Sequence, residues 1–163
     1  MIKNLIFIFY VFLFQAMQAS EIVGLPKVVD GDTLHIKTYK IRLEGIDAPE
    51  MRQKCKKSYF QIIFFSFQRD YFCGQVSKNK LVQKIGNKPV KCILLGKDRY
   101  KRYLAKCFKA NTNLNRWMVR NGYAVAYRKY SKLYIPDENL AKEEKVGLWR
   151  GTFVKPEKWR KLN

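Results

Sequence analysis

Asp32 and Asp47 bracket a stretch, Thr33 to Ile46, in which the alternation of Leu34 and Ile36 and then Ile41 and Leu43 reads as two half-buried strands. With positions summing to about 79 opposite each other in that hairpin, the two carboxylates meet at its open end. Paired carboxylates repel, and a bound cation is the usual remedy. Oxygen donors with no thiolate or imidazole beside them favour calcium or magnesium over a transition metal. Few ligands are visible, so water, a backbone carbonyl and a bound phosphate would complete the shell. A plainer reading gives both residues turn-shaping work, Asp32 within Asp30-Gly31-Asp32 and Asp47 ahead of Ala48-Pro49.

Arg42 lies inside the second strand, where a guanidinium needs a partner or an open cleft. Planar, always charged and two-pronged, it suits a phosphate. Strand parity puts Arg42, Glu44 and Ile46 on one face, so Asp47 joins Arg42 only by leaving the regular strand, as Pro49 close behind it allows. Glu50 follows as a carboxylate able to activate water if it stands within one water of the reacting atom. For Arg42 and Glu50 the alternative is an ordinary surface ion pair.

A first strand from Ile22 to Val29 leads into the Asp30 turn, and a tight connection near Thr38-Tyr39 joins the strands that follow. Val90 to Leu95 and Tyr103 to Phe108 flank Gly96-Lys97-Asp98 as a second hairpin. Helices are expected from about Gln75 to Ile85, stopped by Gly86-Asn87, from Thr112-Asn113 to Asn121-Gly122, and from Pro136 to about Lys145, closed by Gly147. Leu140, Trp149 and Phe153 are expected to pack the last segment back on the sheet. Trp117, Trp149 and Trp159 suit packing anchors better than base-stacking platforms, and His35, between Leu34 and Ile36, reads as an outward or edge residue rather than a catalyst. Tyr59 to Phe67 reads as an apolar stretch within a loop, with burial expected and membrane or partner contact as alternatives. No repeat or low-complexity linker divides the chain. One α+β domain over 21–154, followed by a basic tail over 155–163, accounts for it.

The 163 residues carry 33 Lys and Arg against 13 Asp and Glu, a formal charge of +20. Such a field attracts a polyanion and argues against an enzyme of neutral metabolites. Basic and aromatic residues interleave in Arg99-Tyr100-Lys101-Arg102-Tyr103 and Tyr127-Arg128-Lys129-Tyr130, which suits a phosphate chain with stackable bases. Solvation of a basic secreted protein, or retention on an anionic cell surface, accounts for the charge alone equally well.

Residues 1–20 have a secretory layout: Lys3 without an acid, an apolar run from Leu5 to Phe14, then Ala16, Ala19 and Ser20. The run is too short for a comfortable bilayer span, so export with cleavage near 19–21 is expected, a retained anchor being the alternative. Cys55, Cys73, Cys92 and Cys107 remain, an even number that favours disulfides after export and allows three pairings. A hairpin centred between Arg99 and Tyr100 sets Cys92 opposite Cys107, which leaves Cys55 with Cys73. A single histidine and no Cys-x-x-Cys argue against zinc.

Taken in order, Asp30-Gly31-Asp32-Thr33, then Ile41-Arg42-Leu43-Glu44-Gly45-Ile46-Asp47-Ala48-Pro49-Glu50, then Gly96-Lys97-Asp98-Arg99-Tyr100-Lys101-Arg102-Tyr103-Leu104 resemble the staphylococcal-nuclease family. Asn113 to Ala126 and Ala141 to Trp149 extend the likeness over most of 22–150. The resemblance implies a five-stranded OB-type β-barrel with three helices, and a nuclease that hydrolyses DNA and RNA with calcium. It implies that Asp32 and Asp47 are the metal carboxylates and that Ala48 lends a backbone carbonyl. Arg42 and Arg102 match the phosphate-binding arginines, Glu50 the general base and Tyr100 a substrate-side tyrosine, with Tyr127 or Tyr130 as another. In the family the bond broken is on the 5′-oxygen side of the phosphate.

DNA or RNA is then the partner, with no obligate protein partner and a monomeric chain expected. A weakened nucleic-acid-binding barrel and a basic surface-attached interaction protein are the rival readings. Lys101 stands where the family commonly has glycine, so a positive φ there would strain the turn that carries Arg102. The tail cations Lys155, Lys158, Arg160 and Lys161 are expected to add unspecific attraction to polyanions.

Overall fold

Leu34, Ile36, Ile41 and Leu43 are wholly buried, as their alternation requires, and the strands that carry them form the middle of a strongly curved sheet. The computed structural model describes residues 20–62 and 65–163; the leader read in 1–20 lies almost wholly outside them. In chain order the strands are β1 (Glu21–Gly24), β2 (Pro26–Val28), β3 (Thr33–Ile36), β4 (Tyr39–Leu43), β5 (Ile46–Asp47), β6 (Lys54–Ile62), β7 (Phe65–Phe72), β8 (Val90–Lys97), β9 (Tyr103–Lys109), β10 (Thr112–Asn113), β11 (Val125–Ala126) and β12 (Gly151–Thr152). The helices are α1 (Cys73–Ile85), α2 (Leu114–Arg120), α3 (Ile135–Glu143) and α4 (Pro156–Leu162), with a 3-10 turn at Gly147–Arg150.

The main sheet runs β1-β8-β9-β4-β3-β2, antiparallel except where β4 lies parallel to β9. β1 and β2 are one strand bent at Leu25, and they pair with β8 and β3 at opposite ends of that order. The bend therefore brings the sheet round into a nearly closed, five-stranded barrel of the OB type. Leu81 and Ile85 of α1, Leu114, Met118 and Val119 of α2, and Tyr134 ahead of α3 fill its core. Four α-helices, rather than three, surround it among the described residues. The additional one is α4, which starts at Pro156 with Glu157 in its first turn, a favoured opening for a helix.

Three local expectations are corrected. The first hairpin is tighter than expected: Thr33 lies opposite Arg42 and Ile36 opposite Tyr39, and the turn falls on Lys37 and Thr38. Asp32 thus faces Leu43, whose N–H donates to its carbonyl at 2.8 Å. Second, the supposed loop between Cys55 and Cys73 is an antiparallel pair, from Lys54 opposite Phe72 to Ile62 opposite Phe65. Tyr, Phe and Ile favour strands, and the Cys55–Cys73 disulfide joins β6 to the start of α1. The burial or membrane contact considered for 59–67 concerns side chains outside the described ones. Third, Leu140 is 44% exposed, because α3 turns Glu138 and Ala141 inward instead. Trp149 and Phe153 do pack, edge to face at 4.9 Å, on a small second core of Cys55, Cys73, Val125 and Leu148.

The second hairpin keeps its expected register at the cysteines. Cys92 lies opposite Cys107 and the two form a wholly buried disulfide. Asn113 caps α2 by accepting the Arg116 N–H at 3.0 Å, and Gly122 follows the helix at φ 67°.

Glu138 is the buried acid of α3. Its carboxylate accepts from the Ala126 N–H at 3.2 Å and from Lys142 at 2.9 Å, and pairs closely with Arg128. Burial pushes its pKa up, but Lys142 and Arg128 outweigh that and leave it below the ordinary range. Stability from such a depressed group is present above its unfolded pKa and lost as pH falls through the folded value. Glu138→Gln is expected to cost about 2–3 kcal/mol in urea unfolding at pH 7, with the difference from the parent shrinking below about pH 4.

Candidate functional site

The carboxylates of Asp32 and Asp47 are bridged by Arg42. Asp32 comes from the bend ahead of β3 and Arg42 from the far end of β4. The chain then turns at Gly45, φ 74°, where a Cβ would lie 2.9 Å from Ser131 and Tyr134, and Asp47 follows on β5. Arg42 Nη1 donates to Asp32 Oδ1 at 2.6 Å and Nη2 to Asp47 Oδ1 at 3.0 Å. Asp32 Oδ2 accepts the Ala48 N–H at 2.8 Å, and Thr33 Oγ1 donates to Asp32 Oδ1 at 3.2 Å. A Cβ at Gly31 would overlap the Ser77 hydroxyl of α1 and lie 2.7 Å from Ala48 Cβ, so glycine is what lets the Asp32 bend sit this close.

Burial pushes both aspartates above the ordinary carboxylate range. At Asp32 it is opposed chiefly by Arg42, with Asp30 and Asp47 adding repulsion. At Asp47 it is opposed by Arg160 and Arg42. Burial also works against the charge on Arg42, but Asp32 and Asp47 more than offset it and raise the guanidinium pKa. Burial thus outweighs the guanidinium partners at both carboxylates.

A second guanidinium arrives from the tail. Arg160 of α4 places Nη2 3.0 Å from Asp47 Oδ2 and Nη1 2.8 Å from Glu50 Oε1. Composition had assigned Arg160 only a share in diffuse charge. The readable signal was the helix start at Pro156-Glu157, which makes 156–162 an ordered element, but nothing local says where that helix docks. Glu50 itself is held by its backbone, its N–H donating to Gln53 Oε1 at 3.3 Å and its carbonyl accepting the Gln53 N–H at 2.8 Å.

Tyr127 joins the cluster: its N–H donates to the Gly45 carbonyl at 2.9 Å, and burial and then Asp47 raise its pKa. Tyr130 stands edge-on to it at 4.7 Å and is 66% exposed. Arg102 lies apart, just ahead of β9, the strand beside β4. Its guanidinium pairs with Asp98 at 2.7 Å and faces the exposed Tyr100 ring at 5.5 Å. Among the described residues it makes no hydrogen bond to Asp32, Asp47 or Glu50.

The sequence matches the staphylococcal nuclease homologue family over residues 40–151. The chain belongs to that family. It is 34% identical over 135 residues to the succinoglycan biosynthesis protein ExoI of Rhizobium meliloti, covering 81% of this chain and 66% of that one. It is 32% identical over 169 residues to an uncharacterized endonuclease of Haemophilus influenzae, covering 99% and 84%. An uncharacterized endonuclease of Escherichia coli O157:H7 is 29% identical over 166 residues, covering 97% of each. The chain therefore spans just under two thirds of the Rhizobium protein and nearly all of the Escherichia one.

In this staphylococcal nuclease homologue the Asp98–Arg102 turn meets the steric demand expected of it. Lys101 has φ 61°, a left-handed conformation that costs a non-glycine residue about 1 kcal/mol. Asp98 compensates: its Oδ1 accepts the N–H groups of Tyr100 at 2.9 Å and Arg102 at 3.0 Å, and its Oδ2 accepts Arg102 Nε at 2.8 Å. Burial acts to raise the Asp98 pKa, but those bonds to Arg102 prevail and lower it. Lys101 thus takes the left-handed conformation, and Asp98 holds both the backbone and the guanidinium of Arg102 in the turn.

Proposed function

We propose that this staphylococcal nuclease homologue is an exported, calcium-dependent nuclease that hydrolyses phosphodiester bonds of DNA or RNA. The observation that carries the reading is the Arg42 guanidinium lodged between the buried carboxylates of Asp32 and Asp47, with Glu50 and Tyr127 beside them. The relatives named endonucleases support the substrate class, as does a formal charge of +20. Two disulfides support an oxidising, exported setting and suit the leader read in 1–20, with cleavage near 19–21. No helix among the described residues is long and apolar enough to cross a membrane.

The donors suit a hard cation. Asp32 and Asp47 offer carboxylate oxygens in a place whose burial disfavours uncompensated negative charge, and Ala48 adds backbone next to them. No cluster of three histidine, cysteine or acidic ligands forms among the described residues, so water and substrate phosphate would complete the shell. Calcium held there would add positive charge next to the phosphate.

Arg42 has two Nη groups with which to hold a phosphate, and Arg102, just ahead of the strand beside β4, would supply a further guanidinium. Glu50 takes a proton from a water whose oxygen attacks phosphorus. The new P–O bond forms as the bond to the 5′-oxygen breaks, and that oxygen takes up a proton from solvent water as it leaves. Extra negative charge appears on the phosphoryl oxygens only in the transition state, where the guanidiniums stabilise it more than in the ground state.

The test is incubation of the purified protein with single-stranded DNA and RNA in calcium or in chelator, beside Glu50→Ala. Cleavage is expected only with calcium, and about 100-fold to 10,000-fold slower in the variant. Binding without calcium-dependent cleavage would replace this reading with a weakened nucleic-acid-binding barrel. The hold of Arg160 on Asp47 and Glu50 is the observation that favours that second reading.

A further inference from the structure

Two guanidiniums share Asp47, and they differ in how firmly the fold holds them. Arg42 belongs to a central strand of the barrel, with its side chain 15% exposed and both Nη groups committed to carboxylates. Arg160 belongs to a seven-residue terminal helix in which only Pro156 is buried. A helix that short has marginal stability of its own. Beyond the Arg160 pairs, the segment leading into it is tied down by Gln53 Nε2, which donates to the Val154 carbonyl at 2.6 Å.

Both oxygens of Asp47 are engaged by guanidiniums. Oδ1 lies 3.0 Å from Arg42 Nη2 and 3.0 Å from Arg160 Nη2, and Oδ2 accepts from Arg160 at 3.0 Å. A divalent cation must meet a carboxylate oxygen directly, at a distance that leaves no room for a guanidinium on the same lone pair. Charge points the same way, since a divalent ion beside Asp47 repels the Arg160 guanidinium.

We infer that Arg160 is a displaceable counter-cation that competes with a divalent cation for Asp47, so that ion binding frees α4 and unmasks the Glu50 carboxylate. The inference rests on the reading of Asp32 and Asp47 as cation ligands. The basic tail thereby acquires a specific role. Through it the buried acids stay compensated while no ion is bound, and the water-activating group stays paired until one arrives.

The experiment compares calcium binding by titration calorimetry in the parent, Arg160→Gln and Lys158→Gln. Lys158 is an exposed cation of the same helix, so its variant removes one charge without touching the carboxylates. Far-UV circular dichroism confirms that each protein is folded. Arg160→Gln is expected to bind calcium about ten-fold tighter than the parent, and Lys158→Gln within about two-fold of it. Trypsin should cut the parent after Lys158 faster with calcium than with chelator, and cut Arg160→Gln equally fast in both. Equal calcium affinities in Arg160→Gln and Lys158→Gln, or weaker binding by Arg160→Gln, would overturn the competition while leaving the cation site standing. No calcium binding by any of the three would overturn the cation site itself, and the inference with it.

Discussion

Arg42→Ala is expected to lower phosphodiester cleavage by about three orders of magnitude or more, the effect of removing a guanidinium that acts on transition-state charge. The same change should destabilise the chelated protein. Among the described residues Asp32 pairs with Arg42 alone of the cations, and breaking a buried pair costs about 3 kcal/mol or more because one charge is left uncompensated. Calcium should restore much of that stability but little of the turnover, since an ion can replace Arg42 as a counter-charge but not as the two-pronged hydrogen-bond donor to the phosphate. Arg42→Lys is the sharper control. A lysine keeps the charge but has no planar fork to reach Asp32 and Asp47 together, so stability should recover further than activity. Single-turnover cleavage of DNA, with urea unfolding in calcium and in chelator, reads both quantities. Turnover within about ten-fold of the parent would remove Arg42 from the role given to it.

Removing the disulfides is expected to have the largest effect on stability. Cys92 and Cys107 close a loop of sequence separation 15, and Cys55 and Cys73 one of 18. Each such closure is worth about 3 kcal/mol through the unfolded chain, so losing both consumes much of the roughly 5–15 kcal/mol typical of a domain. The two should differ in their effect on activity. Cys92–Cys107 staples β8 to β9, and Arg102 stands directly ahead of β9. Cys73 begins α1, whose Ser77 lies beneath Gly31 and so supports the Asp32 bend; Glu50 runs alongside, its carbonyl where a Cβ on Gly74 would be. Cys55→Ala with Cys73→Ala should therefore reduce cleavage more than Cys92→Ala with Cys107→Ala when both are measured well below their unfolding midpoints. Urea unfolding with and without reductant checks the first claim, and a loss below about 1 kcal/mol per disulfide would refute it.

What was legible in the sequence was mostly local. The burial of Leu34, Ile36, Ile41 and Leu43 follows from a period of two, and the facing of Cys92 and Cys107 from counting outward from a turn. The start of α2 at Asn113 and its stop at Gly122 follow from capping chemistry. The ordered motifs carried the barrel and the family. The tight turn of the first hairpin was missed because alternation alone leaves the turn position open, and Lys37 at φ 52° closes it without a glycine to mark it. The strands β6 and β7 were missed because the apolar run from Tyr59 to Phe67 shows no regular alternation to read. Their pairing with each other and with β12 is a long-range fact.

By itself the sequence determined an inventory: two aspartates, a glutamate and arginines in family order, an excess of positive charge and four cysteines with one favoured pairing. The tertiary structure alone decided which cations neutralise which acids. Arg160 lies 113 residues from Asp47, outside the family match, and reaches it only because the barrel and the docking of α4 bring both to one rim. Pair energies of that kind depend on distance and burial in space. No spacing along the chain encodes them, so the competition at Asp47 became visible only in three dimensions.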